Sequence, residues 1–238
     1  APSTFGSSSN EPLEKLNKAG FIVEVNRKGR TLNNNELKKI VMDYNGIIAG
    51  TENYTKSVLS KAKGLKAISR LGKGVDNIDL DYAKSCDIVI RVTDKVDLPI
   101  SVAELTLGLI IDLLKKISYQ DRWIRKKVWQ KQMGVLLNGK TLGIVGLGSV
   151  GKSLVKITSK MGIKYLAFDK YHDNSFAKEY KINYTDLDQL ISSSDIVSIH
   201  LNYDKSNEGL FNNQRLNKMK KDAIIINTSR GPIIEEEA

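Results

Sequence analysis

The chain has 238 residues, of which 41% are hydrophobic and 27% are charged, and its formal net charge is +10 at pH 7. This length accommodates one large domain or two ordinary ones, each able to bury a core. No apolar run approaches the roughly 20 residues that a membrane-spanning helix requires, which excludes a membrane protein.

The cysteine count and the placement of basic residues narrow the class further. Cys86 is the single cysteine, so no internal disulfide can form, which suits a cytoplasmic protein. The basic residues are dispersed, and the one dense cluster, Arg125–Lys127, lies between Trp123 and Trp129. We interpret this cluster as a solvated helix face rather than a surface that follows phosphates, and we predict no nucleic-acid partner.

Helical and strand patterns alternate through the first hundred residues. Residues 1–6 predict a loop without the features of a secretory signal. Helices are predicted at Glu11–Ala19, Glu36–Tyr44, Tyr54–Lys63 and Leu80–Ser85, and strands at Phe21–Val25, Gly46–Gly50, Leu65–Ser69 and Asp87–Val92. Such alternation predicts a parallel sheet covered by helices on both faces. We assign residues 1–100 to a first domain.

A second domain, residues 101–238, begins with a long apolar helix. Ser101–Ile117 starts at a Ser cap and is predicted to be buried between the domains. The charged segment that follows, Asp121–Gln132, carries Trp123 and Trp129, which are large apolar residues to leave exposed. We therefore predict a homodimer through this domain. Further strands are predicted at Leu142–Val145, Tyr165–Phe168, Asp195–Leu201 and Ala223–Asn227, and helices at Lys152–Met161 and Tyr184–Ser193.

Three glycines follow the strand Leu142–Val145 and precede a predicted helix. In such a turn Gly146 would permit the bend, Gly148 would let the backbone approach a pyrophosphate, and Gly151 would let helix and strand pack closely. A loop that only needs positive φ can carry the same glycines, so the turn alone does not decide between the two interpretations.

An acidic residue at the end of the next strand favours the dinucleotide interpretation. Asp169 lies 18 positions after Gly151, close to the roughly 20 expected for a carboxylate that binds a ribose. This spacing predicts NAD rather than NADP, although a strand-end Asp is also a common turn former. The strand Ala223–Asn227 brings Thr228–Gly231 to the same sheet edge, where ligands of such sheets bind.

Five separated motifs together resemble one family. They are Ser69–Asp79, Ser101–Thr106, the glycine turn with Asp169, Ser194–Leu201 and Ile226–Gly231. The chain resembles the NAD-dependent D-2-hydroxyacid dehydrogenases, and among them most closely the phosphoglycerate dehydrogenases. The resemblance implies an α/β fold with two doubly wound parallel-sheet domains: a flavodoxin-like substrate domain and a Rossmann cofactor domain. It also implies hydride transfer between NAD and a small, anionic D-2-hydroxy or 2-oxo acid, with 3-phosphoglycerate one candidate.

The resemblance also implies the site residues. Arg230 matches the catalytic arginine, whose planar fork can hold a substrate carboxylate; a solvated surface Arg is the alternative. The substrate loop corresponds to Gly72, Lys73, Gly74 and Val75, and Arg70 would contact a substrate phosphate or form a structural ion pair. The cofactor-binding positions are Gly146, Gly148, Ser149, Val150, Gly151, Asp169, Leu201, Thr228, Ser229 and Arg230. No metal ligand is implied.

The chain departs from the family pattern at several positions. Asn202 stands where the family usually has Pro, and Ser149 replaces a frequent Arg. The family continues beyond Ala238 with a catalytic Glu and His, so we expect a chain trimmed at both ends. We interpret His200 as a hydrogen-bonded strand-end histidine rather than a base.

Two alternatives remain. The first is a non-enzymatic, NAD-sensing protein like the corepressors that resemble this family. The second is formate dehydrogenase, although its characteristic substrate loop is not visible at Asp94–Ile100.

Overall fold

The computed structural model describes residues 1–93 and 98–237. The chain divides into two compact units, Ala1–Val96 and Asp97–Ala238, and the division lies next to the predicted domain boundary at residue 100. Each unit contains a parallel sheet with helices, which confirms the predicted parallel α/β class. The assignment of the first unit to substrate binding remains a prediction. Residues 94–97, part of the segment compared with the substrate loop of formate dehydrogenase, lie outside the described residues.

The first unit has a three-stranded parallel sheet in the order β1-β2-β3. Its strands are β1 (Gly46–Ala49), β2 (Ala67–Arg70) and β3 (Val89–Val92), and its helices are α1 (Glu11–Lys18), α2 (Asn34–Ile40), α3 (Lys56–Leu59) and α4 (Leu80–Ser85), with a 3₁₀ turn at Val41–Asp43. Asn33 caps α2 through a capping box with Glu36. Buried Val41, Val58 and Ile68 belong to one core.

Two predicted elements of the first unit are wrong. Residues 21–25 form no strand, and Phe21 and Ile22 are exposed. The Phe21 N–H donates to the Leu16 carbonyl at the end of α1, the Ala1 ammonium donates to the Glu24 carbonyl, and the Asn26 N–H just beyond donates to the Ala1 carbonyl. None of these contacts is made with a neighbouring strand, and an apolar run without a partner strand builds no ladder. The helix predicted over residues 54–63 shortens to α3.

The second unit has a five-stranded parallel sheet in the order β6-β5-β4-β7-β8. Its strands are β4 (Thr141–Val145), β5 (Lys164–Phe168), β6 (Ile182–Tyr184), β7 (Ile196–Ile199) and β8 (Ile224–Asn227). Its helices are α5 (Leu98–Lys115), α6 (Ile117–Arg125), α7 (Ser149–Thr158), α8 (Asn174–Tyr180), α9 (Leu187–Ser193) and α10 (Asn213–Leu216), with 3₁₀ turns at Lys205–Asn207 and Gly231–Ile233. Strand β7 is buried throughout, as expected of a strand covered on both faces.

The structure corrects three predictions for this unit. Helix α5 includes Leu98 and Pro99, so Ser101 lies inside the helix and is not its cap. The helix predicted from Tyr184 begins only at Leu187, because Tyr184 belongs to β6, and α8 was not predicted at all. Helix α5 is only partly buried: Leu105, Leu109 and Leu113 are exposed in the second unit. Among the described residues, no helix is long and apolar enough to cross a membrane.

Candidate cofactor site

Four loops that the sequence singled out lie at the carboxyl edge of the second sheet. Gly146 follows β4, Asp169 follows β5, His200 follows β7 and Thr228 follows β8. From β4 the chain proceeds to β5 on one side, whereas β7 and β8 lie on the other side. Ligands of open parallel sheets bind in the crevice formed where the strand order changes direction in this way.

At two of the three glycines, Gly146 and Gly151, a side chain would clash with neighbouring backbone of the protein itself. Gly146 has φ +98°, and a Cβ there would lie 2.9 Å from the backbone of His200 and Leu201. A Cβ on Gly151 would lie 2.5 Å from the Gly146 carbonyl oxygen. These glycines therefore bring the β4–α7 turn against the β7 loop and the helix against the turn.

Gly148 is different, because nothing in the protein requires a glycine there. It has an ordinary φ of −76° at the N-cap of α7, and a Cβ would meet no described atom within 4 Å. The first amides of the helix, those of Ser149, Val150 and Gly151, have no carbonyl acceptor within the helix. The turn thus presents open space beside a helix N-terminus that favours an anion.

Asp169 connects the β5 end to the glycine turn. One carboxylate oxygen accepts from the Leu147 N–H at 2.7 Å and the other from the Tyr171 N–H at 2.9 Å. A carboxylate has about four acceptor positions, so each oxygen can accept one further hydrogen bond. The turn-forming interpretation and the ribose-binding interpretation are therefore compatible.

The loop after β8 is held by the side chain of Asn227. Its amide oxygen accepts from the Ser229 N–H at 3.0 Å, and its amide nitrogen donates to the Arg230 carbonyl at 2.8 Å. The Ser229 hydroxyl donates to the Leu201 carbonyl, which joins this loop to the β7 loop. The Arg230 guanidinium donates to the Ser229 carbonyl at 3.1 Å. Leu201, Ser229 and Arg230 are thus brought together, and their contact with a cofactor remains a prediction.

His200 lies largely buried between these loops. Its Nε2 lies 2.9 Å from the Ser198 hydroxyl and its Nδ1 lies 3.4 Å from the Thr228 hydroxyl. Burial lowers the pKa of His200 from 6.5 to about 4, so the imidazole is neutral at pH 7. This geometry agrees with the interpretation of His200 as a hydrogen-bonded structural residue.

The predicted substrate residues lie in the first unit, in the loop after β2. Arg70 is only 7% exposed, and its guanidinium donates to the Leu71 carbonyl and to Asn77 Oδ1. Gly72 has φ +133°, and a Cβ there would lie 3.2 Å from the guanidinium. This packing favours the structural role for Arg70. Lys73, Gly74 and Val75 follow in the same loop, and their contact with a substrate remains a prediction.

Three polar residues that hold these loops had no role in the sequence analysis. Asn227 brackets Ser229 and Arg230, Thr106 contacts Thr228 from helix α5, and Asn77 donates to the carbonyls of Gly50 and Glu52. The available signal for Thr106 was a hydroxyl-bearing residue within a mostly apolar helix.

No group of three or more potential metal ligands occurs within the described part of the chain.

Comparison with known proteins identifies the family. Residues 107–238 match the model described as "D-isomer specific 2-hydroxyacid dehydrogenase, NAD binding domain". The chain belongs to this family. It is 34% identical to the D-3-phosphoglycerate dehydrogenase of Archaeoglobus fulgidus over 97% of this chain and 44% of that protein. It is 33% identical to the hydroxypyruvate reductase of Thermotoga maritima over 96% of this chain and 75% of that protein.

A solved structure of the family shows the same fold. The D-lactate dehydrogenase of Aquifex aeolicus, complexed with NAD and lactic acid, is 28% identical, with a TM-score of 0.77 over 96% of this chain and 68% of that chain. The resemblance inferred from the five motifs is thereby confirmed, and the second unit has a Rossmann-like fold that contains the NAD-binding domain of this family. The residues present fit NAD, because Gly148 leaves open space at the N-terminus of α7 and Asp169 stands at the neighbouring strand end.

Proposed function

We propose that the protein containing this chain is an NAD-dependent oxidoreductase that transfers a hydride between NAD and a small D-2-hydroxy acid. The observation that carries the proposal is the open space at Gly148, beside the N-terminus of α7 and next to the loop that contains Asp169. The related proteins named above act on a phosphoglycerate and a hydroxypyruvate, and a third holds lactic acid. These compounds share a carboxylate next to a hydroxyl or oxo carbon.

Each residue of the second unit would have a definite task. The amides of Ser149 and Val150 would hold the pyrophosphate, and the Asp169 carboxylate would accept from the ribose hydroxyls. Arg230 would hold the substrate carboxylate through two parallel hydrogen bonds. NAD, when bound, supplies the hydride acceptor. The first unit would be a flavodoxin-like substrate domain, and 3-phosphoglycerate is one candidate substrate within the class.

Calorimetric titration of this chain with NADH tests the cofactor site. Gly148→Ser keeps a favourable helix cap and places a side chain in the open space, so NADH binding should weaken on the order of 100-fold, or about 3 kcal/mol. Gly46→Ser is the matched control, because a Cβ there also meets nothing within 4 Å. Unchanged NADH affinity in Gly148→Ser would show that the opening is not the pyrophosphate site.

Turnover requires a separate assay on protein expressed from the complete open reading frame. We expect NADH oxidation with at least one member of a panel containing pyruvate, glyoxylate, hydroxypyruvate and the 2-oxo acid formed from 3-phosphoglycerate. Tight NADH binding without turnover of any 2-oxo acid would favour the NAD-sensing alternative instead.

We also propose that the second unit forms a homodimer. Its exposed apolar residues follow the helical spacing on α5 at Leu105, Leu109 and Leu113, and Trp129, beyond α6, is 86% exposed. Light scattering should give a dimer, and Leu105→Lys with Leu113→Lys should give a monomer. Met42→Lys, the same kind of change from an exposed apolar side chain to a cation but in the first unit, should leave the dimer intact. A monomeric parent chain would refute the proposal. A cytoplasmic location likewise remains a proposal.

A further inference from the structure

A continuous series of polar contacts runs through the interior of the second unit. The Ser198 hydroxyl lies 2.9 Å from His200 Nε2, and His200 Nδ1 lies 3.4 Å from the Thr228 hydroxyl. The Thr228 hydroxyl lies 3.0 Å from the Thr106 hydroxyl, which donates to the Val102 carbonyl at 2.8 Å. Ser198 and Thr106 are fully buried. The series therefore joins β7, the β7 loop, the β8 loop and helix α5.

The donor in each contact can be assigned from the α5 end. A hydroxyl has one proton, and the Thr106 proton is used in the bond to Val102 O. Thr106 must therefore accept in its contact with Thr228, and Thr228 must donate. Because the Thr228 proton is then used as well, the contact between Thr228 and His200 requires a proton on Nδ1.

The imidazole determines the direction of the last contact. Burial keeps His200 neutral at pH 7, so a ring with a proton on Nδ1 has none on Nε2. Nε2 then accepts from the Ser198 hydroxyl. In the other tautomer, Nε2–H would donate to Ser198 and Nδ1 would accept the Thr228 proton. The Ser198 proton would then have no acceptor among the described residues, and no proton would lie between the Thr106 and Thr228 oxygens. Only one direction satisfies all four contacts.

We infer that His200 is held as the Nδ1–H tautomer and that the directed series from Ser198 to Val102 O positions the Thr228–Arg230 loop at the cofactor site. The Nδ1 proton follows from the contacts, and the bare Nε2 follows from them together with the neutral ring, whereas the positioning role rests on the proposed function of the loop. One consequence concerns recognition: with its proton committed to Thr106, the Thr228 hydroxyl can offer a bound ligand only an acceptor lone pair. His200 is a positioning residue in this arrangement and takes no proton from a substrate.

Nitrogen-15 NMR of histidine-labelled chain tests the tautomer directly. The chain has two histidines, so His172→Gln assigns the signals. At pH 7 we expect His200 to show a protonated Nδ1 and an unprotonated Nε2. A predominantly protonated Nε2 would overturn the inference.

Substitutions at both ends of the series test its direction. Thr106→Val releases the Thr228 proton, which can then donate to Nδ1, so the share of the Nδ1–H tautomer should fall toward equal populations. Thr106→Ser keeps the hydroxyl and should restore the parental spectrum, and Ser198→Ala should leave Nδ1 protonated. An unchanged tautomer in Thr106→Val would overturn the directional coupling.

The positioning role has its own readout in NADH affinity. Thr106→Val should weaken NADH binding by roughly 3- to 10-fold, which corresponds to the loss of one buried hydrogen bond, and Thr106→Ser should restore it. Equal affinity in Thr106→Val and the parent would refute positioning while leaving the tautomer assignment intact. If the parent chain binds no NADH, the proposed function fails and the NMR result still stands by itself.

Discussion

The carboxyl edges of the two sheets are held together by different chemistry. In the first unit, the guanidinium of Arg70 and the amide of Asn77 fill the edge, and both make hydrogen bonds to the loops around them. In the second unit, backbone amides and small hydroxyls make part of the equivalent links, such as Gly146 N–H to Phe168 O and the Ser229 hydroxyl to Leu201 O. The short side chains of Asp169 and Asn227 make others, and none of these groups fills the space beside Gly148.

This difference shows why two similar parallel sheets differ in whether a ligand can reach their carboxyl edge. Large polar side chains occupy the edge of the first sheet, so that edge depends on individual residues such as the buried Arg70. Short links leave the edge of the second sheet open at Gly148, where a ligand can approach the backbone. The comparison therefore predicts functional losses from substitutions at the second edge and stability losses from substitutions at the first.

The largest expected effect is at Arg230, in protein expressed from the complete open reading frame. Arg230→Lys keeps the charge but removes the planar fork, so NADH binding should persist while turnover falls. The loss of a charge-assisted bond in the transition state is worth on the order of 2 to 4 kcal/mol, or roughly 30- to 1000-fold in rate. Arg230→Ala should lose more. Parental turnover by Arg230→Lys would show that Arg230 only supports its loop.

The next effect concerns stability at the first edge. Arg70→Met should destabilise the first unit by about 3 kcal/mol, because the part-buried Leu71 carbonyl and Asn77 Oδ1 lose the guanidinium donor that the buried Arg70 supplies. Both tryptophans lie in the second unit, so urea unfolding followed by fluorescence reports that unit, whereas circular dichroism reports both.

The exposed Arg91, on neighbouring β3, provides the control. Arg91→Met should shift neither transition by more than about 0.5 kcal/mol. Equal stability of Arg70→Met and the parent would contradict the structural role of Arg70 and return it to the phosphate hypothesis.

The sequence predicted the elements that are determined by residues within the segment itself. It failed where an element depends on contacts with residues far away in the chain. Apolar runs identified the buried strands β4 and β7, and the glycine turn indicated the helix α7, which was predicted from Lys152 and begins at Ser149. Strand β6 has three residues, too few for a periodic pattern. The strand predicted at Phe21–Val25 failed because a strand needs a partner, which a sequence pattern does not supply.

The candidate site divides in the same way. Gly146, Gly148 and Asp169 were recognisable because the turn and the strand end are close in sequence. Thr106 and Thr228 are 122 positions apart, so their contact could not be found without the structure. The burial of the Arg70 guanidinium likewise depends on how its loop folds around it, and the sequence left both of its roles open.

A third effect concerns the acid stability of the second edge. The pKa of His200 is lowered to about 4 in the folded chain from 6.5, so between these values the unfolded chain binds more protons. Stability is therefore lost as pH falls, by about 2 kcal/mol between pH 7 and pH 5. Urea midpoints followed by tryptophan fluorescence should show this slope. His200→Asn should flatten it and His172→Gln should keep it; a parent without pH dependence in this range would contradict the burial of a neutral imidazole.

The smallest effect tests how the second edge selects its cofactor. Because the Asp169 carboxylate accepts from Leu147 N–H and Tyr171 N–H, Asp169→Asn should keep one acceptor and the turn while losing the charge. NADH affinity should fall by about 1 kcal/mol, and NADPH should gain relative to NADH because repulsion of the 2′-phosphate is removed. In the parent, the cation of Lys170 would attract the 2′-phosphate of NADPH and so oppose the preference for NADH. Its ammonium lies over the Tyr171 ring, 5.8 Å from the ring centroid. Asp222→Asn makes the same charge change at an exposed position and should alter neither affinity. If calorimetry shows the parent binding NADPH as tightly as NADH, Asp169 contributes only to the turn, and the open edge of the second sheet takes its specificity from elsewhere.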